Sequence, residues 1–216
     1  MKIAILSHSG FKGGAAIASK RLYCALSKYN HGNLEINFLT PEKKNGFITK
    51  KISNNIWRIL IKISFILKKI LIKTNPHYLS FGFFSRIDLS EICKYEILNL
   101  HWINNSTFSI NLMNKFQKPI VWTLHDCWPI LGINHHCDDS EFLKYHTSKY
   151  QNTKFNSIYE FFDKWNLRRK DKIYRQIYKK LVFVSPSKWL LEKAKKSYIS
   201  KKCNIVHIPN PYNEKE

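Results

Sequence analysis

The sequence is short of acid, of glycine and of paired cysteines, and each shortage narrows what the chain can be. Only 15 Asp+Glu stand against 36 Lys+Arg, a formal charge of +21. A surplus of that size favours anionic partners: nucleic acid, an anionic membrane or a phosphorylated substrate. A compositional bias toward Lys, Asn and Ile accounts for the same surplus without any partner, so charge alone does not choose. Five cysteines, Cys24, Cys93, Cys127, Cys137 and Cys203, are scattered and form no C-x-x-C pair, which excludes a zinc ribbon and a thioredoxin-type motif. They read as small hydrophobes in a reducing cytoplasm. The opening MKIAILSHSG holds too short an apolar run for a secretory signal. No repeat, low-complexity linker, helix-turn-helix, zinc finger or RNP-like signature occurs. The aromatics fall mostly at core-like positions, which argues against nucleic acid as partner.

What is present is a globular composition, 44% hydrophobic and 14% aromatic. Of only seven glycines, three crowd into one early loop, Gly10, Gly13 and Gly14. The apolar run 3–6 before that loop reads as a buried parallel strand. After the loop the period becomes helical, with Ala18, Leu22, Ala25, Leu26 and Tyr29 on one face. Residues 34–40 form a second expected strand, completing a βαβ unit. Further strands are expected at 96–102, 119–126, 180–187 and 203–210, and helices at 107–117, 158–178 and 187–198, the last with Ser187 as N-cap. The alternation predicts an α/β fold, a Rossmann-like doubly wound, mostly parallel sheet flanked by helices.

Residues 51–78 break the alternation. They are strongly apolar from 56 to 72, yet carry Arg58, Lys62, Lys68, Lys69 and Lys73. Arg58, Lys62, Lys69 and Lys73 share one face at helical spacing. That many charges exclude a membrane-spanning helix. Two readings stay open: a basic amphipathic helix lying on a membrane surface, or an ordinary surface helix with its apolar face on the sheet.

Three places carry chemistry. The loop SGFKGGAA lacks the G-x-G-x-x-G spacing of dinucleotide folds. Its Gly13–Gly14 pair at a helix start serves either a tight turn or the close approach of a phosphate to backbone amides. His101 ends one strand, and His125 and Asp126 end another, at the sheet edge where ligands collect in such folds. A third cluster, His135, His136, Cys137, Asp138, Asp139 and His146, has metal-ligand residue types without the spacing of a familiar metal site, and no metal is expected.

In order along the chain come GGAA with the IASKRLYCAL helix, LNLHWIN, PIVWTLHDCWPILG, WNLRRKDKIY, FVSPSKWLLEKAKKS and VHIPNPYN. That succession resembles the amino-terminal, acceptor-side domain of bacterial family-four glycosyltransferases, those that build colanic acid, capsule and other surface polysaccharides. The resemblance implies a GT-B architecture, with residues 1–208 as its first Rossmann-like domain and 209–216 as the start of the link to a donor-binding domain that this sequence lacks. It implies hexosyl transfer from a nucleotide-sugar to a glycan or lipid-linked acceptor, with retention and without metal or further cofactor. It places Gly13 and Gly14 near the donor phosphates, His125 as the catalytic-edge histidine and Asp126 as the neighbouring acid, structural or facing the acceptor; His101, at its own strand end, is expected to bind substrate in the same crevice. The cysteine-rich stretch that such relatives carry after this motif is replaced here by HTSKYQNTKFNS. Implied partners are the nucleotide-sugar, the acceptor and a second chain carrying the missing domain, with peripheral contact at the inner face of the plasma membrane through Arg58, Lys62, Lys69 and Lys73. A non-enzymatic basic module that binds anionic membrane or nucleic acid is the alternative.

Overall fold

Runs of Ile, Leu, Val and Phe, four or five residues long, make the sheet. They are β1 (Lys2–Leu6), β2 (Glu35–Leu39), β3 (Ile97–Leu100), β4 (Ile120–Thr123), β5 (Leu181–Ser185) and β6 (Asn204–His207). Every neighbouring pair is parallel, in the order β2-β1-β3-β4-β5-β6. This is the expected α/β, Rossmann-like sheet. The computed structural model describes residues 1–10, 12–29, 32–41, 59, 62–66, 69–70 and 79–212. Ala4, Ile5 and Leu6 are successive in β1 and all fully buried. Side chains alternate between faces along a strand, so both faces of the sheet are covered, as continuous apolar strands require.

The helices are α1 (Gly14–Lys28), α2 (Leu89–Ile92), α3 (Asp139–Phe142), α4 (Lys149–Asn152), α5 (Ile158–Ile177) and α6 (Lys188–Lys196). Ser187 caps α6 as expected, its hydroxyl accepting from the Leu190 amide at 3.2 Å. The expected helix at 107–117 is absent; that stretch holds only a 3-10 turn, Ile110–Leu112. Its buried residues Ile110, Met113 and Phe116 recur every three positions, the period of a 3-10 turn rather than of an α-helix. On α1, Ala16 and Ala18 are buried while Tyr29, just past its end, is 68% exposed, so the helix packs by its first half. In the basic segment Lys62 and Lys69 are helical and exposed, while Arg58 and Lys73 lie outside the described residues. Among the described residues no helix is long and apolar enough to cross a membrane.

In sequence α5 looks like a solvated charged helix, but its polar groups face inward. Asp163, Asn166 and Lys170 are fully buried. The Asp163 carboxylate accepts from the Ile133 amide at 2.8 Å and from the hydroxyls of Tyr145 (2.8 Å) and Tyr150 (3.0 Å). Gly132 is required there, because a Cβ would lie 2.0 Å from that carboxylate. Lys170 Nζ donates to the carbonyls of Trp128, Leu131 (2.9 Å) and Gly132 (2.8 Å), and sits 3.8 Å from the Trp128 ring centroid. Burial pushes the Lys170 amine well below the usual lysine range; three carbonyls and an aromatic face offset the cost of holding it there. The helix thus clamps the loop after β4 from behind. Lys170→Met would leave those carbonyls without their donor, and we expect a loss of about 3 kcal/mol or more in urea unfolding; a change within about 0.5 kcal/mol, the range of ordinary surface substitutions, would show the clamp to be dispensable.

Candidate functional site

The chain leaves β1 for β2 on one side of the sheet and returns to β3 on the other, so the strand order reverses between β1 and β3. Crevices open at the carboxyl ends of strands at such a reversal. Here a cleft of about 670 Å³ is walled by Ser7, His8 and Lys12 after β1, Trp102 after β3, His125 after β4, and the N-termini of α1 and α6.

Gly13 precedes α1 at φ +90°, a backbone region that L side chains rarely adopt, and a Cβ on Gly13 or Gly14 would meet nothing within 4 Å. Among the described residues no side chain caps α1, and its first turn holds no acid. The first intrahelical bond runs from the Ile17 amide to the Gly13 carbonyl, 3.1 Å. The amides of Gly14, Ala15 and Ala16 are therefore orphan donors at the positive end of a 15-residue helix. An open, uncapped helix start beside a lysine is suited to an anion.

The strand-end residues divide into two groups. His125 lines the cleft, whereas His101 lies behind it, 2% exposed. His101 Nδ1 is 2.8 Å from His125 Nε2, with the rings stacked at 5.1 Å, and His101 Nε2 is 2.8 Å from Asn99 Oδ1. Burial lowers both histidines, His125 to about 4 and His101 well below the ordinary value, the latter helped by its neighbour's charge. Both shifts favour the neutral ring.

Asp126 also borders the cleft, but its carboxylate is committed inward. Its Oδ2 accepts from Trp102 Nε1 (2.8 Å) and His135 Nδ1 (2.6 Å), its Oδ1 from the Trp128 amide (2.9 Å), and its side chain is 9% exposed. Burial raises its pKa, and these donors outweigh that and lower it. It braces the site and leaves ligand contact to its neighbours. His135 Nε2 continues to Ser80 Oγ at 2.9 Å. Ser80, His135 and Asp126 have the residue types of a hydrolytic triad, but Ser80 is 2% exposed and does not line the cleft. Its backbone is bound too, the amide to Ile133 O (2.8 Å) and the carbonyl to Trp128 Nε1 (2.6 Å). This is a strut.

The cluster at 135–146 disperses. His135 serves Asp126, Asp138 caps α3 through the Glu141 amide, Asp139 pairs with Lys193, and the His146 ring lies edge-on to Phe142. Among the described residues no group of three such side chains could hold a metal. Four contributors went unmarked in the sequence. His8 follows β1 as His125 follows β4, and the same strand-end rule points to it; Lys12 stands inside the glycine loop already singled out. Asn99 is a polar residue in the apolar run ILNL, which is a visible signal. Ser80 gives none.

No protein-family model matches the chain, and no curated protein matches it. Among solved structures it is similar to a dTDP-glucose 4,6-dehydratase of Bacillus anthracis in complex with NAD, at 9% identity and TM-score 0.35, covering 86% of this chain and 54% of that one. It is also similar to an ADP-L-glycero-D-manno-heptose-6-epimerase of Helicobacter pylori, at 12% identity and TM-score 0.30, covering 85% and 53%. The chain spans about half the length of these proteins. Neither bears the name of a glycosyltransferase, and likeness this distant carries no argument about function.

The histidine pair makes a pH prediction. In the unfolded chain a histidine takes up its proton near pH 6.5; in the folded chain His125 does so only near 4, and burial holds His101 well below the ordinary value too. The unfolded state therefore binds more protons in that window, and stability falls as pH drops from 6.5 toward 4. The urea midpoint should decline over this range, and His101→Gln with His125→Gln should flatten most of the decline. An unchanged slope in the double variant would remove the pair as its cause.

Proposed function

We propose that the cleft binds a nucleotide-sugar, and that the chain is the acceptor-side domain of a retaining glycosyltransferase working on surface polysaccharide at the cytoplasmic face of the membrane. One observation carries this: the uncapped N-terminus of α1, opened by Gly13 and Gly14, faces the same cleft as the neutral imidazole of His125. The first suits a phosphate, the second a sugar hydroxyl. Transfer needs the leaving phosphate's charge stabilised as it develops, and preorganised amides do this at low reorganisation cost. In this reading a second, facing domain grips the nucleoside, His125 contacts the transferred sugar, and Asp126 and His101 hold His125 in place. The nucleotide-sugar is substrate, and no further cofactor is invoked.

Gly14→Asp separates ligand binding from folding. A carboxylate in the first turn favours the helix dipole, so the melting temperature should hold or rise. The same carboxylate repels a phosphate, so affinity for nucleoside-diphosphate sugars in titration calorimetry should fall at least tenfold, about 1.4 kcal/mol. If no nucleotide-sugar binds the wild-type chain, even with a partner carrying the facing domain, the proposal fails.

Membrane contact has its own support. Ile59, Ile63, Ile66 and Ile70 are 56%, 46%, 55% and 68% exposed, and at helical period these positions share one face, flanked by Lys62 and Lys69. No Asp or Glu lies between Glu42 and Asp88. An apolar stripe bordered by lysines fits an anionic bilayer surface. The chain should float with vesicles containing phosphatidylglycerol and not with pure phosphatidylcholine. Replacing Lys62 and Lys69 together by Glu should weaken that at least tenfold, since each basic residue near such a surface is worth about 1 kcal/mol. Indifference to anionic lipid, with tight salt-sensitive binding to nucleic acid instead, would favour a non-enzymatic basic module.

A further inference from the structure

Asn99 interrupts the apolar strand β3 and is 7% exposed. A buried amide must find partners for both its ends. Its Nδ2 donates to the Val121 carbonyl at 3.3 Å. A carbonyl only accepts, so Nδ2 is the atom that faces Val121, and Oδ1 is the atom 2.8 Å from His101 Nε2. An amide oxygen also only accepts, so His101 carries its proton on Nε2. His101 Nδ1 is then a lone pair, and His125 Nε2, 2.8 Å away, must donate to it. A neutral imidazole has one N–H. No bond to His125 Nδ1 is formed among the described residues, nor is that nitrogen enclosed, so it opens on the cleft that His125 lines.

We infer that Asn99 and His101 are positioning residues that set the tautomer of His125, presenting an unprotonated Nδ1 to the ligand. A single backbone acceptor, the Val121 carbonyl, thereby decides which atom His125 shows at the cleft two side chains away. A bare ring nitrogen accepts a hydrogen bond from a hydroxyl and disfavours an anion. The ligand therefore has two chemistries in register, an anionic group at the start of α1 and a hydroxyl donor at His125. That consequence rests on the sugar-nucleotide reading; the tautomer does not.

Two-bond proton–nitrogen correlation spectra of the whole chain, ring-labelled with nitrogen-15 at neutral pH, read the tautomers directly. We expect Nε2–H at both His101 and His125 in the wild type. Asn99→Leu removes the acceptor and should give His125 a measurable Nδ1–H population, and Asn99→Ala, with less steric change, should do the same. A wild-type His125 protonated on Nδ1 overturns the inference, as does an unchanged His125 tautomer in the Leu and Ala variants. A chain that binds no nucleotide-sugar leaves these spectra as they are, and a wrong tautomer leaves anion binding at α1 as it is, so the two readings fail separately.

Discussion

The Asp126 carboxylate is the contact through which the cleft holds together. It takes donors from three separate stretches: the Trp102 indole after β3, the His135 imidazole and the Trp128 amide. Bonds to an ionised acceptor are about twice as strong as neutral ones, and the site's low exposure strengthens them further. Because Asp126 adjoins His125, holding its carboxylate inward fixes where the histidine backbone sits at the end of β4. His135 then carries the connection to Ser80, tying residues 79–81 to the same corner. The Asp126 charge pulls the neighbouring His125 toward the protonated form, and burial of the ring outweighs that pull.

Behind this corner stands α5, whose buried Asp163, Asn166 and Lys170 satisfy the backbone of residues 128–133. Loops are usually the mobile part of such folds. Here residues 127–133, which follow His125, are buried and held by hydrogen bonds from α5. The aromatic cluster of Trp122, Trp128, Tyr174 and Phe183, with centroid separations of 5.4–6.4 Å, packs β4 and β5 against that helix. Site geometry is thus set by core packing on one side and by buried polar bonds on the other, the support that a precise binding site needs.

The sheet was legible in sequence because each strand is an apolar run with polar ends, and continuous apolarity marks a parallel strand covered on both faces. Residues 107–117 misled because an apolar spacing of three resembles helical period over so short a stretch. The glycine loop and His125 were legible for the same reason, being chemistry-bearing residues placed where a strand stops. Asp126 and His101 were marked by position; for Asp126 a structural role was one of two readings, and the place of His101 behind the cleft was not visible. Whether a side chain faces the ligand or holds a neighbour depends on partners distant in sequence, such as His135, Trp102 and Asn99. The inward charges of α5 were hidden likewise, since a lysine that satisfies three carbonyls carries the same letter as one in water.

The proposed function puts a phosphate at α1 and a sugar hydroxyl at His125 in one cleft. Amide and imidazole nitrogen-15 spectra recorded while a nucleoside-diphosphate sugar is added test it most directly. Shifts are expected at the amides of Gly13, Gly14, Ala15 and Ala16 for the sugar-nucleotide and the bare nucleoside diphosphate alike, with the His125 ring responding only when the sugar is attached. Shifts centred outside the cleft, or none at millimolar ligand, would contradict it.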